Sequence, residues 1–538
     1  MITRDKMGHA VTMIVSAKGM IPTAPTSAPR SSAENAIKGA SASALPGAAP
    51  VVHREAASPT AAAALIGEAA LSTTTKARGT NPATLRDPTG AHRAQLKADL
   101  RTAIESLKKL PPALTFFGGA RIAQSDPYYA ISQEIGRLLA ERGVPPRTGA
   151  GPGIMQSVPE GYVQRRAELA AEGKILGPSE QQRNIGGIGP GASLNDLRTQ
   201  GFNIKLPHEQ KLNSVIETAQ EIQLFPFRKL ALYENARGVV TFPGGFGTLD
   251  ELFEIWNLAA SGKLSDPLAA VGVDFWQPTL DALQKVAVTD RKLLPPEDFA
   301  RLFVTDDPRA LLDHMLATST STRDRPLGFE RDPDALQATL IKEVDLAAHG
   351  MKTLRPAVAF LGGEALDKND PALAVVVGLV RQIAGAGGAV RVGDGGTGGQ
   401  AVVDAAHAAG ASRKNVQAIV WTGSKVIAQP TTSTPAATFT ERIPHKELLL
   451  RAAEAYVVLP AGLKGLDEMA TVLCQMQTGK LPKRPLVLVG SNYWQPILAA
   501  WQKTMISPDR QLIAPEDMKL FTVVDTVEAA RAAVQNLR

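Results

Sequence analysis

Cysteine is almost absent from this chain, since Cys474 is the only one among 538 residues. A single thiol excludes an intramolecular disulfide and any metal site built from several cysteines. Cys474 lies in an apolar run with helical spacing, Met469–Met476, which favours a buried structural thiol over a nucleophile. We therefore expect neither disulfides nor a metal site.

Long hydrophobic runs are also lacking. No segment approaches the roughly 18 to 20 apolar residues that a membrane-spanning helix needs, and the run Ala372–Val380 ends at Arg381. Near the start, Arg4 and Lys6 precede a short apolar stretch, Ala10–Val15, which resembles a weak signal peptide that we expect not to be cleaved. We therefore expect no membrane partner and a cytoplasmic location.

Positive charge is not concentrated anywhere along the chain. Its 58 Lys and Arg residues stand against 52 Asp and Glu, for a formal net charge of +6, and no basic cluster is interleaved with aromatic residues. Nucleic acid is therefore not an expected partner. The content of 44% hydrophobic and 20% charged residues is that of a soluble globular protein, and the length predicts two or three domains.

The first 90 residues have few aromatics and no sustained apolar period, and they are rich in Ala, Ser, Thr, Pro and Gly. Such a segment buries too little apolar surface to offset its conformational entropy, so we predict that residues 1–90 are disordered. The same composition is typical of a plain linker and of an export signal. A bacterial effector secreted through this leader therefore stays open as an alternative.

From residue 92 onward, helical and strand patterns alternate. A helix is predicted over residues 92–110 and another over 128–142, and the predicted strands of the first half are Ala113–Phe117, Gly201–Leu206, Glu221–Phe225, Val239–Phe242 and Leu268–Val273. Strands separated by helix-length segments form parallel sheets with helices on both faces. The predicted fold class is α/β, with Rossmann-like, doubly wound parallel sheets whose ligands lie at the carboxyl ends of the strands.

The pattern occurs twice, which indicates a tandem duplication. Two early motifs recur after 244 residues, and three later ones recur after 217 to 219 residues. The pairs are Phe116–Ala120 with Phe360–Glu364, Thr148–Gly151 with Val392–Gly395, Pro243–Glu251 with Pro460–Glu468, Val271–Pro278 with Val489–Pro496, and Pro296–Asp298 with Pro515–Asp517. The shorter offset places about 27 extra residues in the first copy, between Met155 and Arg228.

These patterns divide the chain into four segments. We predict a disordered leader over residues 1–90, a first Rossmann-like domain over 91–318, a linker and helix over 319–353, and a second Rossmann-like domain over 354–538. The helix within the linker is expected over residues 333–348, because charged residues there alternate with apolar ones at helical spacing.

The stretch Thr241–Leu252 organises the first copy. It reads as the end of a strand, a glycine turn and the start of a helix. A loop with few Cβ atoms before a helix N-terminus presents several backbone N–H groups and the positive end of the helix dipole to one point. This stretch is therefore a candidate phosphate site, with Asp250 and Glu251 in the first helical turn beside it.

The first copy resembles the LOG family of cytokinin-activating phosphoribohydrolases, which were long called lysine decarboxylases. The resemblance covers residues 113–280 and rests on four motifs. They are Phe117–Arg121, Thr148–Met155, Phe227–Lys229 and Pro243–Glu251, of which the last, with its Pro-Gly-Gly-Phe-Gly-Thr sequence, is the most specific. The segment 202–210 also resembles the longer bacterial members.

The resemblance implies a reaction and a site. The reaction is hydrolysis of the N-glycosidic bond of a nucleoside 5′-monophosphate, without a metal or an organic cofactor. Arg228 and Glu251 match the family's catalytic residues, and a carboxylate near the sugar suits an oxocarbenium-like transition state. The residues that match the phosphate cradle are Gly244, Gly245, Gly247 and Thr248, and those expected around them are Gly149, Gly151, Gly153, Lys229 and Asp250.

Some residues depart from the family pattern. Ala150 stands where many relatives have glycine, Gly119 where many have serine, and Gln156 where glutamate is usual. The extra residues, expected within 164–195 and containing the glycine-rich stretch 186–191, fall near the expected pocket. The preferred base is therefore left open between a purine and a cytokinin.

The second copy departs at the site itself. Ala461, Lys464 and Gly465 stand opposite Gly244, Gly247 and Thr248, and the Arg228–Lys229 pair is replaced by His445–Lys446, whereas Asp467 and Glu468 remain. We predict that this copy, lacking the arginine and with a crowded cradle, is inactive or altered, although Lys464 could instead meet a phosphate. Since LOG proteins are homodimers with sites at the interface, the second copy is expected to act as a built-in partner.

Three functions are compatible with these features. The first is the phosphoribohydrolase activity, with an intramolecular pseudo-dimer that can assemble further. The second is a nucleotide sensor that binds without turnover, and the third is a scaffold within a secreted effector. Decarboxylation with pyridoxal phosphate would need Lys229 as a Schiff-base lysine, and nothing else in the sequence indicates such a site.

Overall fold

A computed structural model describes residues 90–174, 197–204, 212–321, 331–393, 396–423 and 436–535. All of them belong to one compact unit, Ala77–Arg538. Residues 1–89 of the predicted leader lie outside the described residues, as do the glycine-rich stretch 186–191 and residues 205–210 of the family-like segment. Residue 90, the last of that predicted leader, is the first residue of a helix.

The first half of the described chain alternates strands and helices as predicted. Its strands are β1 Ala113–Phe117, β2 Pro146–Thr148, β3 Gln200–Ile204, β4 Thr218–Ile222, β5 Ala236–Thr241, β6 Leu268–Ala270 and β7 Leu302–Val304. Its helices are α1 Gly90–Leu107, α2 Pro127–Arg142, α3 Ile154–Ala171, α4 Phe225–Tyr233, α5 Phe246–Ala260, α6 Val273–Leu283, α7 Pro296–Phe299 and α8 Pro308–Ser321.

The second half repeats this order. Its strands are β8 Ala357–Leu361, β9 Val390–Val392, β10 Val416–Trp421, β11 Ala437–Phe439, β12 Ala453–Val458, β13 Leu486–Val489 and β14 Thr522–Val524. Its helices are α9 Pro333–Thr353, α10 Pro371–Gly385, α11 Thr397–Ala408, α12 Arg442–Arg451, α13 Leu463–Gln477, α14 Ser491–Met505 and α15 Val527–Gln535. None of the described helices combines the length and apolarity needed to cross a lipid bilayer.

Each half forms one parallel sheet of seven strands. The strand order is β4-β3-β2-β1-β5-β6-β7 in the first half and β11-β10-β9-β8-β12-β13-β14 in the second, so the topology is identical. A register shift at the start of β1 against β5 recurs between β8 and β12. The predicted α/β class with two doubly wound sheets is confirmed.

A pair of buried arginines also repeats between the two cores. Arg147 in β2 and Arg391 in β9 are fully buried, and the Nε of each donates a hydrogen bond over 2.9 Å to a glutamine on the next strand, Gln200 or Gln417. Burial lowers the pKa of Arg147 to about 9 and that of Arg391 to about 10. Burying a guanidinium is costly unless it is hydrogen-bonded, so its recurrence in register supports the duplication independently of the glycine motifs.

The two halves pack against each other around an approximate two-fold axis. Helix α5 packs on α13, and α1 packs on α9. Two ion pairs cross between equivalent positions: Arg510 Nε lies 2.9 Å from Asp126 Oδ2, and Arg291 Nε lies 3.1 Å from Asp370 Oδ2. Each half therefore uses the same surface to contact the other, as the subunits of a two-fold dimer do.

Candidate active site

The glycine turn 242–245 lies where the strand order of the first sheet reverses. β5 pairs with β1, and the next strands lie on opposite sides of this pair. The turn is joined to the loop after β1, because the Phe242 amide donates to the carbonyl of Phe117 and the Gly119 amide donates to that of Pro243, both over 2.8 Å. In open α/β sheets, ligands bind in the crevice at this reversal, beyond the carboxyl ends of the strands.

Arg228 and Glu251 meet at this crevice. Arg228 lies on α4, and its Nη1 is 3.4 Å from Oε1 of Glu251. Asp250 and Glu251 were expected in the first helical turn, but α5 begins at Phe246 and they lie in its second turn. The guanidinium is held in place by Nε, which donates to the carbonyl of Phe202 over 2.8 Å, and by Nη2, which lies 3.5 Å from the carbonyl of Gly149. The structure thus brings the two predicted catalytic residues together and fixes the arginine through the backbone of β3 and of the turn after β2.

Glu251 has an unusual proton affinity. Its side chain is 12% exposed, and burial raises its pKa to about 7, with Asp250 and Glu254 adding to the effect while Arg228 and Lys229 oppose it. Burial also lowers the pKa of Arg228. A carboxyl group that titrates near neutral pH beside a fixed cation is suited to general acid or base chemistry.

Lys229 and Asp250 lie behind this pair and face the second half. Lys229 Nζ donates to Asp250 Oδ1 over 2.9 Å and also contacts Glu254 Oε2. Burial lowers the pKa of Lys229, but these carboxylates outweigh that effect and raise it overall. Lys229 therefore stays an ammonium ion, and a Schiff base needs the neutral amine.

The glycines of the turn are needed for different reasons. A Cβ on Gly244 would stand 2.1 Å from Oγ1 of Thr248, so the threonine hydroxyl lies where an alanine methyl would be. A Cβ on Gly245 would meet the carbonyl of Leu512 at 2.8 Å. On Gly247 it would meet only Sγ of Cys474, at 3.9 Å. The start of α5 is thus open at Gly247, as a phosphate cradle requires.

The turn after β2 forms a wall of the crevice beside Arg228. A Cβ on Gly149 would lie 1.9 Å from Arg228 Nη2, and one on Gly153, whose φ is +67°, would lie 2.3 Å from the carbonyl of Gly119. The carbonyl of Gly151 accepts a hydrogen bond of 2.8 Å from Asn213. All three glycines predicted in this turn therefore lie near the site.

Two departures from the family pattern have local explanations. Ala150 has a φ of +60°, a conformation that glycine adopts without strain. The alanine therefore keeps the backbone conformation of the turn at a cost in backbone strain. A Cβ on Gly119 would stand 3.2 Å from Leu512 of the second half, which leaves little room for a serine there. The predicted insertion, 164–195, begins inside α3, and its remainder lies mostly outside the described residues.

A cluster of buried charges links the site to the second half. Three carboxylates, Asp250, Glu254 and Asp467, offer oxygens within 4.8 Å of one another, a spacing that a metal ion could use. The ammonium groups of Lys229 and Lys446 lie among them: Lys446 Nζ is 2.7 Å from Asp467 Oδ1 and also contacts Glu254. These two cations, with Arg442 beside Asp467, pair with the three carboxylates, so the cluster is a network of ion pairs.

In the equivalent site of the second half, the glutamate is held by ion pairs. Glu468, opposite Glu251, is fully buried, and its Oε1 lies 2.8 Å from Lys464 Nζ and 3.1 Å from Arg442 Nη2. Burial alone would raise the pKa of Glu468, but these two cations lower it. Glu468 is thus held ionised, whereas Glu251 titrates near neutral pH.

The expectation that this glutamate lacks an arginine is wrong. Arg442 replaces the missing guanidinium from one helical turn earlier on α12, and it also contacts Asp467 over 2.9 Å. His445, at the position of Arg228, donates from Nε2 to the carbonyls of Gly393 and Ile419, at 3.1 and 3.0 Å, so its Nδ1 accepts from Arg442. Burial and Arg442 lower the pKa of His445 to about 3.

The cradle of the second half is filled by its own side chains. Lys464 Nζ binds Glu364 at 3.2 Å as well as Glu468, so its charge is matched by two carboxylates and is poorly placed to meet a phosphate. A Cβ on Gly465 would stand 2.5 Å from that of Ala461. Gly244 and Thr248 of the first half thus correspond to Ala461 and Gly465 of the second. The larger residue of the pair lies in the helix in the first half and in the turn in the second.

Sequence reasoning missed the residues that the second half contributes. Thr471 Oγ1 donates to Asp250 over 2.6 Å, and Leu512 and Ile513 cover Gly245. Thr471 stands 217 residues after Glu254, so the repeat offset was the available signal. No sequence pattern indicated Leu512, because its contact depends on how the halves pack.

Comparisons with known proteins agree with this architecture. A family model described as a possible lysine decarboxylase matches residues 180–315 and again residues 400–534, together just over half of the chain. None of the curated proteins is a match.

Two solved structures show a distant likeness. The molybdenum cofactor binding protein from the phototrophic bacterium Rippkaea orientalis is 14% identical, over 38% of this chain and 94% of that one, with a TM-score of 0.24. The molybdenum cofactor carrier protein from Chlamydomonas reinhardtii is 16% identical, over 38% and 99%, with a TM-score of 0.23.

Proposed function

The chain belongs to the LOG family, described as possible lysine decarboxylases, and we propose that its first half is a nucleotide N-glycosidase. It hydrolyses the N-glycosidic bond of a nucleoside 5′-monophosphate, either a cytokinin riboside monophosphate or an AMP-like nucleotide, to free base and ribose 5-phosphate. The observation that carries the proposal is Glu251, a carboxyl group with a pKa of about 7 beside the fixed cation Arg228 at the mouth of an open glycine turn.

Each part of the site has a role in this reaction. The N-terminus of α5, with Gly244, Gly245, Gly247 and Thr248, binds the phosphate through backbone N–H groups and the threonine hydroxyl. Glu251, once ionised, stabilises the positive charge that develops on the ribose as the base departs, and it orients the attacking water. Arg228 hydrogen-bonds the substrate as a fixed cation.

Decarboxylation is the less suitable reaction for this site. It would need a lysine that forms a Schiff base, and Lys229 is the lysine next to Arg228. Its ammonium group is buried against Asp250 and Glu254, which raise its pKa. The positive charge of Lys229 thus serves to hold the carboxylates behind Glu251.

The second half acts in this proposal as a built-in partner. It is inactive, because Lys464 and Arg442 already pair with Glu468 and so match the negative charge that a substrate would need. The result is an intramolecular pseudo-dimer with one competent site, and such units can assemble further.

The test is to incubate the purified protein with a panel of nucleoside monophosphates and to measure free base and ribose 5-phosphate. The panel includes AMP, other purine and pyrimidine monophosphates, and isopentenyladenosine monophosphate. Release of base from at least one of them is expected. Binding without release would support the nucleotide sensor in its place.

A further inference from the structure

We propose that Thr471 of the second half is a positioning residue for the first-half site, where, backed by Lys446, it holds Asp250 next to Glu251. This inference rests on the proposed function and adds to it a residue from outside the copy that carries the site. It concerns how the site is held together, since Thr471 lies behind the crevice and touches Asp250 rather than Glu251 itself.

The direction of the hydrogen bonds follows from their chemistry. Lys446 Nζ lies 3.1 Å from Thr471 Oγ1, and an ammonium group can only donate. The hydroxyl oxygen of Thr471 therefore accepts, and its own hydrogen goes to Asp250 Oδ1, 2.6 Å away. A chain of donors runs from Lys446 through Thr471 to Asp250 and crosses from one half to the other.

Burial makes this chain hard to replace. Asp250 is 1% exposed, Thr471 2% and Lys446 6%, so water has little access to any of them. Asp250 Oδ1 accepts from Lys229 as well as from Thr471. Without the hydroxyl, the carboxylate would lose one of two buried donors and shift toward Lys229.

The duplication shows that Thr471 is specific to the second half. Its equivalent in the first half is Glu254, which lies in the same buried cluster. A glutamate at 471 would have no proton to donate to Asp250 and would add a fourth carboxylate to the two lysines. Two identical copies could not place a glutamate on one side and a threonine on the other, whereas a fused pair can.

The position of Asp250 affects Glu251, its neighbour in the second turn of α5. The charged and titratable groups around Glu251 are Arg228 and Lys229 from α4, Asp250 and Glu254 from α5, and Cys474 from α13. Among them, Asp250 raises the proton affinity of Glu251 while the two cations lower it. A change in the hydrogen bonds that balance the negative charge of Asp250 therefore shifts the pKa of Glu251.

The experiment compares Thr471→Val, which keeps the shape and removes the donor, with Thr471→Ser, which keeps the donor. With the nucleotide that the wild type turns over best, Thr471→Val should lower kcat about tenfold and change KM little. A loss of this size is expected for a lost hydrogen bond to a charged group. The acid limb of its pH profile should move to higher pH. Thr471→Ser should keep the kcat and the pH profile of the wild type.

A second readout does not depend on turnover. In protein labelled with carbon-13 at glutamate carboxyl groups, the Glu251 signal is assigned by its loss in Glu251→Gln, and its titration is followed in each variant. Thr471→Val should raise the midpoint by about half a pH unit, and Thr471→Ser should leave it unchanged. If wild type releases no base, the proposed function fails and this titration alone decides the role of Thr471.

An unchanged Glu251 midpoint in folded Thr471→Val would overturn the proposal, and so would equal effects of Val and Ser. Should Thr471→Val not fold, Thr471→Cys in reducing buffer takes its place, because a thiol is a similar size but a weaker donor. It should raise the midpoint by a smaller amount, and the absence of any shift would again contradict the proposal.

Discussion

Two glutamates at equivalent positions of the repeat have opposite proton affinities. Glu251 is buried beside one guanidinium, and its pKa rises to about 7. Glu468 is buried against Arg442 and Lys464, and its pKa falls. The difference comes from one lysine in place of Gly247 and one arginine a helical turn before His445. Together with His445 in place of Arg228, these changes turn a titrating carboxyl group into a permanently ionised member of an ion pair.

The raised pKa predicts a pH-dependent stability effect of Glu251→Gln. Above pH 7 the wild-type protein must ionise this buried carboxyl, which costs free energy in the folded state, whereas below about pH 4.5 it need not. The Gln variant should therefore gain stability relative to wild type between pH 5 and pH 8, by about 2 kcal/mol. Urea unfolding at both pH values measures this.

Glu468→Gln is the matched control for that measurement. Because the folded-state pKa of Glu468 is lowered, its ionised form stabilises the protein at neutral pH, and this contribution is lost only as the pH falls through the lowered pKa. The variant should therefore be less stable than wild type at both pH 5 and pH 8. A stability difference for Glu251→Gln that does not vary with pH would contradict the raised pKa.

At the scale of the elements, the turn and the first turn of the following helix behave as one unit. In the first half, Gly244 leaves room for Thr248, and in the second half Gly465 leaves room for Ala461. Each pair contains one glycine and one larger residue in opposite order. The first order places a hydroxyl at the helix N-terminus, where it can serve a phosphate, and the second places only a methyl group in the turn.

This exchange predicts a stability cycle. Gly244→Ala alone should cost about 1 to 3 kcal/mol, because its Cβ would overlap Oγ1 of Thr248. Adding Thr248→Gly should recover most of that stability without recovering turnover, since the hydroxyl is lost. Thermal unfolding and base release of the single and double variants test this, and additive stability losses would show that the two positions are independent.

Most of the elements could be predicted from sequence, and the exceptions have physical reasons. The glycine turns, most of the strands and the amphipathic helices were visible in local patterns. β2 was missed because its three residues, Pro146–Thr148, form no apolar run. β7 was missed because it has only three residues, whereas the equally short β6 lies in a longer apolar run. Arg442 was missed because the copies were compared position by position. Such a comparison does not detect a side chain that reaches the same place from one helical turn earlier.

The site was predictable where its residues are close in sequence or belong to a recognised motif. Arg228 and Glu251 fall in this class, and the structure places them 3.4 Å apart. The roles of Thr471, Lys446 and Leu512 were not predictable, because they depend on how the second half packs against the first. Whether the predicted residues carry out catalysis stays a prediction for experiment.

At the scale of the whole molecule, the contact between the halves is symmetric in its rim and asymmetric at its centre. The ion pairs of Arg291 and Arg510 occupy equivalent positions, and so do Lys229 and Lys446. One difference at the centre is Thr471 opposite Glu254. Three carboxylates and two lysines therefore share the buried centre, with Arg442 as a further cation beside Asp467.

Thr471→Glu would make this centre symmetric and should destabilise the protein. A fourth buried carboxylate without a partner of its own should cost about 3 kcal/mol. Thr471→Gln, of nearly the same size but neutral, separates the charge from the volume and should cost less. Urea unfolding of the two variants at neutral pH tests this. Equal stability of the Glu and Gln variants would show that a fourth negative charge in the cluster costs no stability.

The central claim is that the chain contains one competent site, formed by the first half. The most direct measurement is base release from the preferred nucleoside monophosphate by wild type, Glu251→Gln and Glu468→Gln. The account predicts that Glu251→Gln abolishes release while nucleotide binding is largely kept, and that Glu468→Gln, if folded, releases base nearly as wild type does. Equal losses in the two variants, or release that persists in Glu251→Gln, would contradict it.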